Sequence, residues 1–505
     1  MKSIKQIINT IDAWGQTEPQ RPVYVDTNQT YTYGELKQNS DHLAAYLAKN
    51  LHEKTTVVVY GELEFEMLAC FLGAVKSGHC YIPIDAHTPV ERIEMILNVA
   101  QPEMILAVAP WTDISTDAQV IEGVVLRQIM KAETEKIELF SVKEEENFYI
   151  IFTSGTTGVP KGVQISHDNL LSFINWELTS FHLKAGQRFL AQAPFSFDLS
   201  VMDVYPALVS GGSLIPLKKA VINDFKMLFA TLPQLAVEVW VSTPSFMDIC
   251  LMEPTFDGAH VSSLKTFLFC GEELPVATAR KLLERFPNAR IYNTYGPTEA
   301  TVAISGVEVT QSLLDQYQRV PIGYVKADTK VLILDGDVPC SDGEVGEIVI
   351  VGPSVSKGYL HNPEKTDAAF FDWQGQRAYR TGDAGKLENG LLHYEGRIDF
   401  QVKLHGYRIE LEDIDHHLAD VSYVKQAVVV PKYKDHKVQQ LVAYVVADTH
   451  SFTKEFQLTK AIKEELSKTV MDYMIPQKYI FVDALPLTAN GKIDRKGLMN
   501  EVNAT

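Results

Sequence analysis

Strands and helices alternate through the first part of this chain, and that alternation constrains the fold more than any other feature. The helical pattern EFEMLACFLGAVKSG (Glu64 to Gly78) precedes the apolar run CYIPI (Cys80 to Ile84). The pattern PVERIEMILNVA (Pro89 to Ala100) precedes MILAV (Met104 to Val108). Short apolar strands separated by helices of this length predict an α/β fold with mostly parallel sheets. From about Ile304 to Leu360 the texture changes. Segments such as KVLILDGDVPC and GEIVIVG are short, β-rich and joined by Gly/Asp turns, which predicts a smaller β-subdomain. A second change comes at GRIDFQVKLHGYRIE (Gly396 to Glu410). Beyond it the pattern reads helix, two strands (QAVVVPK and QLVAYVVAD), helix (around LTKAIKEELSKTV) and a last strand (YIFVDALP). That is a small α+β unit of roughly 100 residues. A chain of 505 residues exceeds one core. The expected division is therefore 1–398 and 399–505, with the boundary near Asp399.

Charge and cysteine usage narrow the function. The net charge of −18 disfavours nucleic acid as the main partner, because a phosphate backbone needs a basic surface. The segment from Gln401 onward is balanced in charge, so the excess acid lies before it and an acidic partner meets least repulsion at the C-terminal end. Variation between domains is the bland reading of the same asymmetry. The N-terminal MKSIKQIINTIDAW has no continuous apolar stretch of the signal-peptide kind. No run approaches the roughly 18 apolar residues that span a bilayer. Cys70, Cys80, Cys250, Cys270 and Cys340 are odd in number and scattered, making neither a disulfide framework nor a CxxC site. These features lead to the expectation of a cytoplasmic protein with no membrane insertion.

The chemistry begins at YIIFTSGTTGVPKGVQISH (Tyr149 to His167). An apolar strand feeds a loop rich in Gly, Ser and Thr. Gly155, Gly158 and Gly162 allow tight turns that aim N–H groups at an anion. Thr153, Ser154, Thr156 and Thr157 offer hydroxyl donors, and Lys161 adds a positive charge. The loop is not the GxxxxGK[ST] type, because Gly162 follows Lys161. A Gly/Ser surface turn is the structural alternative.

TSGTTGVPKG resembles the signature loop of the adenylate-forming (AMP-binding) superfamily, which includes acyl-CoA synthetases, firefly luciferase and the adenylation domains of peptide synthetases. Further motifs follow in the superfamily's order: YTYGEL (Tyr31 to Leu36), VKSGHCYIPID (Val75 to Asp85), NTYGPTE (Asn293 to Glu299) and GEIVIVGPSVSKGYL (Gly346 to Leu360). YRTGD (Tyr379 to Asp383), GRIDFQVKLHGYRIE and LPLTANGKIDR (Leu485 to Arg495) complete the series. The resemblance covers essentially the whole chain. It implies an ATP site formed by the loop residues 153–161, by Asn293, Thr294, Tyr295, Gly296, Pro297 and Thr298, and by Asp383, Tyr394, Glu395, Gly396 and Arg397. Tyr295 is placed to stack on adenine, Glu299 to hold Mg²⁺ and Asp383 to accept from the ribose hydroxyls. Lys492 is implied as the catalytic lysine that meets the attacking carboxylate and the α-phosphate. It is delivered by rotation of the C-terminal unit about a hinge at Asp399 and withdrawn afterwards.

Asp198 points to the acid that is activated. It stands in APFSFDLSVMD, a single acid in an apolar stretch, and a lone buried carboxylate calls for a partner. In the superfamily's amino-acid-activating members an aspartate at this place meets the substrate α-ammonium. Capping of a helix that begins at Leu199 is the alternative. Positions matching the side-chain pocket are Met202, Leu268, Cys270, Thr294 and Val302, medium-sized and uncharged, which suits a methyl or a hydrogen. The chain ends ten residues after Arg495, and no carrier unit is expected within it. It resembles the stand-alone members of Gram-positive bacteria that load D-alanine onto the phosphopantetheine thiol of a small acidic carrier protein, for D-alanylation of teichoic acids. His405, Glu412 and Ala384 depart from the superfamily's usual residues. One rival reading is an acyl-CoA synthetase for a small carboxylic acid, which Asp198 opposes. Another is a non-catalytic nucleotide-binding regulator, which joint retention of Lys492, Glu299 and Asp383 opposes.

Overall fold

A computed structural model of the chain describes residues 1–111, 114–132, 138–155, 157–434, 437–488 and 492–504. Thr156 lies outside the described residues. The α/β expectation holds. One sheet has nine strands in the order Tyr324–Val325, Ser305–Glu308, Arg290–Tyr295, Thr266–Phe269, Val239–Ser242, Arg188–Ala191, Ser213–Pro216, Pro22–Val25 and Thr30–Thr32. Its interior pairs are parallel, with Val241 opposite Leu268 and Leu268 opposite Tyr292. Only its ends are antiparallel.

The second sheet has six strands, in the order Gln119–Glu122, Met104–Ala107, Thr56–Gly61, Cys80–Asp85, Asn147–Thr153 and Lys161–Ser166. It is parallel except at the last pair. Every residue of Cys80–Asp85, and every residue of the helix Phe65–Lys76 except Glu66, is buried. This explains the continuous apolar runs: a parallel strand covered by helices on both faces has no solvent side on which to place polar residues.

The β-subdomain differs in extent from the expectation. Its antiparallel sheet runs from Lys330–Asp335 to Leu391–Arg397, through Gly346–Val351 and the long strand Gln376–Glu388. Ser305–Glu308 belongs instead to the nine-stranded sheet, where Ser305 pairs with Tyr295. A single 3₁₀ turn, Thr298–Ala300, returns the chain onto the strand it has just left, so local pairing captures this segment.

After Arg397 the chain enters a hairpin, Gln401–Leu404 with Tyr407–Glu410, turned at His405 and Gly406, both at positive φ (54° and 84°). The helix Leu411–Ala419 follows. A three-stranded sheet (Val424–Lys434, Lys437–Ala447, Lys478–Phe481) then carries the helices Glu455–Leu466 and Arg495–Asn503. Two apolar clusters drawn from this segment alone cover the two faces of that sheet. Ile462 is fully buried in the larger one. Ile462→Ala should lower stability by about 2–5 kcal/mol. In hydrogen exchange the loss of protection should fall on residues 401–481 and leave Thr266–Phe269 unchanged; an equal loss in both would show one undivided cooperative unit.

Candidate active site

The strand Asn147–Thr153 delivers the Gly/Ser/Thr loop, and Lys161–Ser166 takes it back with Thr153 opposite Lys161. A side chain at Gly155 would collide with the Val159 carbonyl, and one at Gly158 (φ +77°) with the His416 ring. Both positions therefore require glycine, the first for the turn and the second for the approach of the C-terminal segment. The Ser154 hydroxyl donates to the Arg408 carbonyl at 3.0 Å and accepts from the Glu410 N–H at 3.2 Å. Lys161 is buried, its Nζ 3.4 Å from Glu410 Oε1 and over the Tyr359 ring. Burial lowers its pKa, and the neighbouring Arg408 guanidinium lowers it further. The Thr153 hydroxyl is buried with no hydrogen-bond partner among the described residues. Thr157 is exposed on the loop.

Glu299 faces this loop from the turn Thr298–Ala300 and is fully buried. Tyr359 donates to its Oε1 at 2.8 Å, and Arg408 Nη1 lies 2.6 Å from its Oε2. Burial alone would raise its pKa. Arg408 and Lys161, with the Tyr359 hydrogen bond, overcome that and hold it at about 2. A buried carboxylate kept ionised by surrounding cations suits a hard divalent metal.

Beside the loop, Asn293, Thr294, Tyr295, Gly296, Tyr394, Glu395, Gly396 and Arg397 line one cavity, joined by Lys403 from the hairpin. The Tyr295 hydroxyl donates to Asp383 Oδ2 at 2.5 Å, and Arg397 Nη1 donates to Asp383 Oδ1 at 2.8 Å. Asp383 thus already has one donor on each oxygen, and each oxygen keeps a further lone pair. Arg397 Nε also reaches Asp399 Oδ1 at 2.8 Å, tying this cavity to the expected hinge. Pro297 leads into the turn that presents Thr298 and Glu299.

Asp198 opens a 3₁₀ turn, but its side chain caps no helix. Its Oδ2 accepts instead from Thr298 Oγ1 at 2.7 Å. It lines a cavity with Pro194, Phe197, Tyr407 and Arg408. Burial raises its pKa, partly offset by Thr298 and Lys403. Met202, Leu268, Cys270 and Val302 lie in one apolar cluster, and Thr294 is buried on the strand beside Leu268. Cys270 Sγ is 3.7 Å from the Val302 carbonyl, and burial pushes its thiol pKa up, so it is a neutral wall rather than a nucleophile. Thr301 and Val302 both adopt positive φ (58° and 69°), a strained conformation for β-branched residues, directly after the turn that carries Glu299.

Lys492 is not part of this assembly. It is exposed, its N–H and carbonyl bonded to Thr488. In its place the hairpin 401–410 enters the cleft. Arg408, Glu410, Lys403 and Tyr359 also meet in this cleft, and all sit within the motifs GRIDFQVKLHGYRIE and GEIVIVGPSVSKGYL without being singled out by them. The charge pattern of Arg408-Ile409-Glu410, beginning two residues after the hairpin glycine, was the available signal.

The AMP-binding enzyme family model matches residues 11–360, and the AMP-binding enzyme C-terminal domain model matches residues 413–492. The chain belongs to the AMP-binding enzyme family. A D-alanine–D-alanyl carrier protein ligase of Lacticaseibacillus paracasei is 53% identical over 99% of this chain and 100% of its own length. One from Bacillus cereus is 50% identical over 99% and 100%. A solved peptide-synthetase protein containing adenylation and PCP domains is 27% identical with a TM-score of 0.83, covering 98% of this chain and 84% of its own.

Glu299→Ala should cost about 3–5 kcal/mol, because it leaves Arg408 buried without its partner. In the unsubstituted protein the carboxylate is ionised more readily folded than unfolded. Its contribution is therefore complete above pH about 4.5 and is lost as pH falls toward about 2. Urea midpoints measured against pH for both proteins should converge toward the acid end; parallel curves would contradict the pairing.

Proposed function

We propose that this chain activates D-alanine with ATP, forming D-alanyl-adenylate and pyrophosphate. It then transfers the D-alanyl group to the phosphopantetheine thiol of a small acidic carrier protein, the entry step of teichoic acid D-alanylation. The observation that carries this reading is one turn of chain. Thr298 holds Asp198, the residue that on this reading meets the substrate ammonium, while its neighbour Glu299 faces the Gly/Ser/Thr loop. Amine recognition and phosphate chemistry are thereby fixed at a set distance, as pre-organised catalysis requires. The near-complete alignment with D-alanine–D-alanyl carrier protein ligases supports the choice of amino acid and carrier.

In the first step the D-alanine carboxylate attacks the α-phosphorus, an acyl–phosphate bond forms, and pyrophosphate leaves. Loop N–H groups, Ser154, Thr153 and Lys161 receive the phosphates, and Tyr295 and Asp383 hold the adenosine. Mg²⁺ on Glu299 would neutralise charge on the phosphate oxygens. Lys492 enters by rotation of residues 399–505 about Asp399 against 1–398. In the second step the carrier thiol attacks the carbonyl, a thioester forms, and AMP leaves with the bonding electrons. The chain has no helix among the described residues long and apolar enough to cross a membrane. Its five cysteines are free thiols, which fits work in the reducing cytoplasm.

ATP–pyrophosphate exchange over D-alanine, L-alanine, glycine and D-serine should be fastest with D-alanine; preference for acetate or propionate would contradict the reading. Asp198→Asn should lower kcat/KM for D-alanine by about 100-fold, the scale of a lost buried charge partner. Because burial raises the Asp198 pKa, the KM for D-alanine should climb as pH falls, beginning above the ordinary carboxylate value of 3.8. A flat profile down to that value would remove Asp198 from the amine site. Lys492→Ala should abolish exchange yet spare transfer from preformed adenylate, and equal loss of both would refute the division of roles.

A further inference from the structure

The segment that carries Lys492 is held from inside by one side chain. Leu487 and Ile493 face each other in an isolated β-bridge, yet both are exposed. The Thr488 N–H donates to the Lys492 carbonyl at 2.7 Å, and the Asp494 N–H to the Pro486 carbonyl at 2.8 Å. Among the described residues from 486 to 495, Arg495 alone is buried. Its place is unusual for a helix. It is the first residue of Arg495–Asn503, where a cation opposes the helix dipole, and Asp494 already caps that end by accepting from the Gly497 N–H at 2.9 Å. The guanidinium serves the start of the C-terminal unit instead. Its Nη2 donates to Asp415 Oδ2, its Nη1 lies 3.6 Å from Glu412 Oε1, and the group sits 5.0 Å from the centre of the Phe400 ring. Phe400 directly follows the expected hinge at Asp399. Asp415 Oδ1 accepts in turn from the Val429 N–H at 2.7 Å, which joins the first strand of the three-stranded sheet to the same group. Burial pushes the Asp415 pKa up to about 7 against the pull of Arg495, so this acid gains its charge near neutral pH only through the guanidinium.

We propose that Arg495 is a positioning residue for adenylate formation, tying the Lys492 segment to Phe400 beside the hinge and to the helix Leu411–Ala419, so that Lys492 reaches the α-phosphate in a fixed place when residues 399–505 turn. The inference rests on the reading of Lys492 as the lysine that meets the attacking carboxylate and the α-phosphate. Arg495 lines neither the cavity of Asp198 nor that of Tyr295, so it acts through Lys492 and not on a ligand. A long lysine side chain already brings its own rotamer freedom. Freedom in the backbone beneath it adds to that, and a misplacement of about 1 Å costs on the order of 100-fold in rate. A planar fork is suited to the anchor, because it meets two acids at its edge and a ring as well, which a point-charge ammonium does less well.

The test uses the full chain carrying Arg495→Gln. The kcat of D-alanine-dependent ATP–pyrophosphate exchange should fall about 30-fold or more, the scale of a misplaced catalytic group. The KM values for ATP and D-alanine, and single-turnover transfer from preformed adenylate to pantetheine, should each stay within about 3-fold, because Arg495 binds neither substrate. Hydrogen exchange at the Thr488 and Asp494 amides should quicken about 10-fold, while Leu441–Val445 keeps its protection, as expected of a local loosening. If the glutamine variant does not fold, Arg495→Lys and Asp415→Asn read the same quantities, each weakening the anchor from one side. Parallel loss of exchange and transfer, a raised KM with kcat unchanged, or unaltered hydrogen exchange at residues 488 and 494 overturns the proposal. Should the unsubstituted chain activate no amino acid, the functional reading fails, yet hydrogen exchange at these two amides still decides whether Arg495 anchors the Lys492 segment.

Discussion

A single carboxylate imposes the strictest condition on this molecule. Glu299 is wholly buried and yet ionised, so it cannot be without a positive partner. The rest of the cleft follows from that requirement. Tyr359 takes one oxygen and a cation must take the other. Lys161, a few ångströms into the same pocket, needs an anion for the same reason, and the loop that carries it must be glycine-rich to let one approach. The turn that aims Glu299 also presents Thr298 to Asp198 and forces Thr301 and Val302 into left-handed backbone. Strain of this kind persists only where the surrounding packing over-determines it. Here the packing is the nine-stranded sheet on one side and the β-subdomain on the other.

The residues matched to a side-chain pocket follow the opposite logic. Met202, Leu268, Cys270 and Val302 are uncharged and packed into the main core, whereas the cavity that Asp198 lines also carries Arg92, Lys219 and Arg408. Cys270 contributes volume and not reactivity, since burial keeps its thiol protonated.

Much of this was legible in the amino-acid order. Parallel strands announced themselves as unbroken apolar runs, because Cys80–Asp85 is buried on both faces. The tight turn of the loop after Thr153 was readable from its glycines, since Gly155 and Gly158 leave no room for a side chain. What could not be read were relations between distant residues. The β-subdomain was placed too early because Ser305–Glu308 is β-rich like the segment that follows, and only pairing with Tyr295 assigns it to the other sheet. Arg408 and Glu410 look like ordinary strand charges, and their partners lie 109 and 249 residues away. Asp198 had a plausible local use as a helix cap, and only the hydrogen bond from Thr298, 100 residues on, removes it. Lys492 was expected beside the phosphates; here the hairpin 401–410 fills that cleft instead, and which segment fills it is not encoded in a local sequence pattern.

The central claim is that residues 399–505 turn against 1–398 when nucleotide binds, leaving the position in which Arg408 and Glu410 pair with Glu299 and Lys161. Spin labels on Val159→Cys and Asp420→Cys, both exposed positions, in a Cys340→Ser background would report it directly, since the other four cysteines are buried. A narrow, short distance is expected in the ligand-free chain, a longer one with magnesium, D-alanine and a non-cleavable ATP analogue, and the short one again once these are removed. A distance that does not respond to nucleotide would contradict the account.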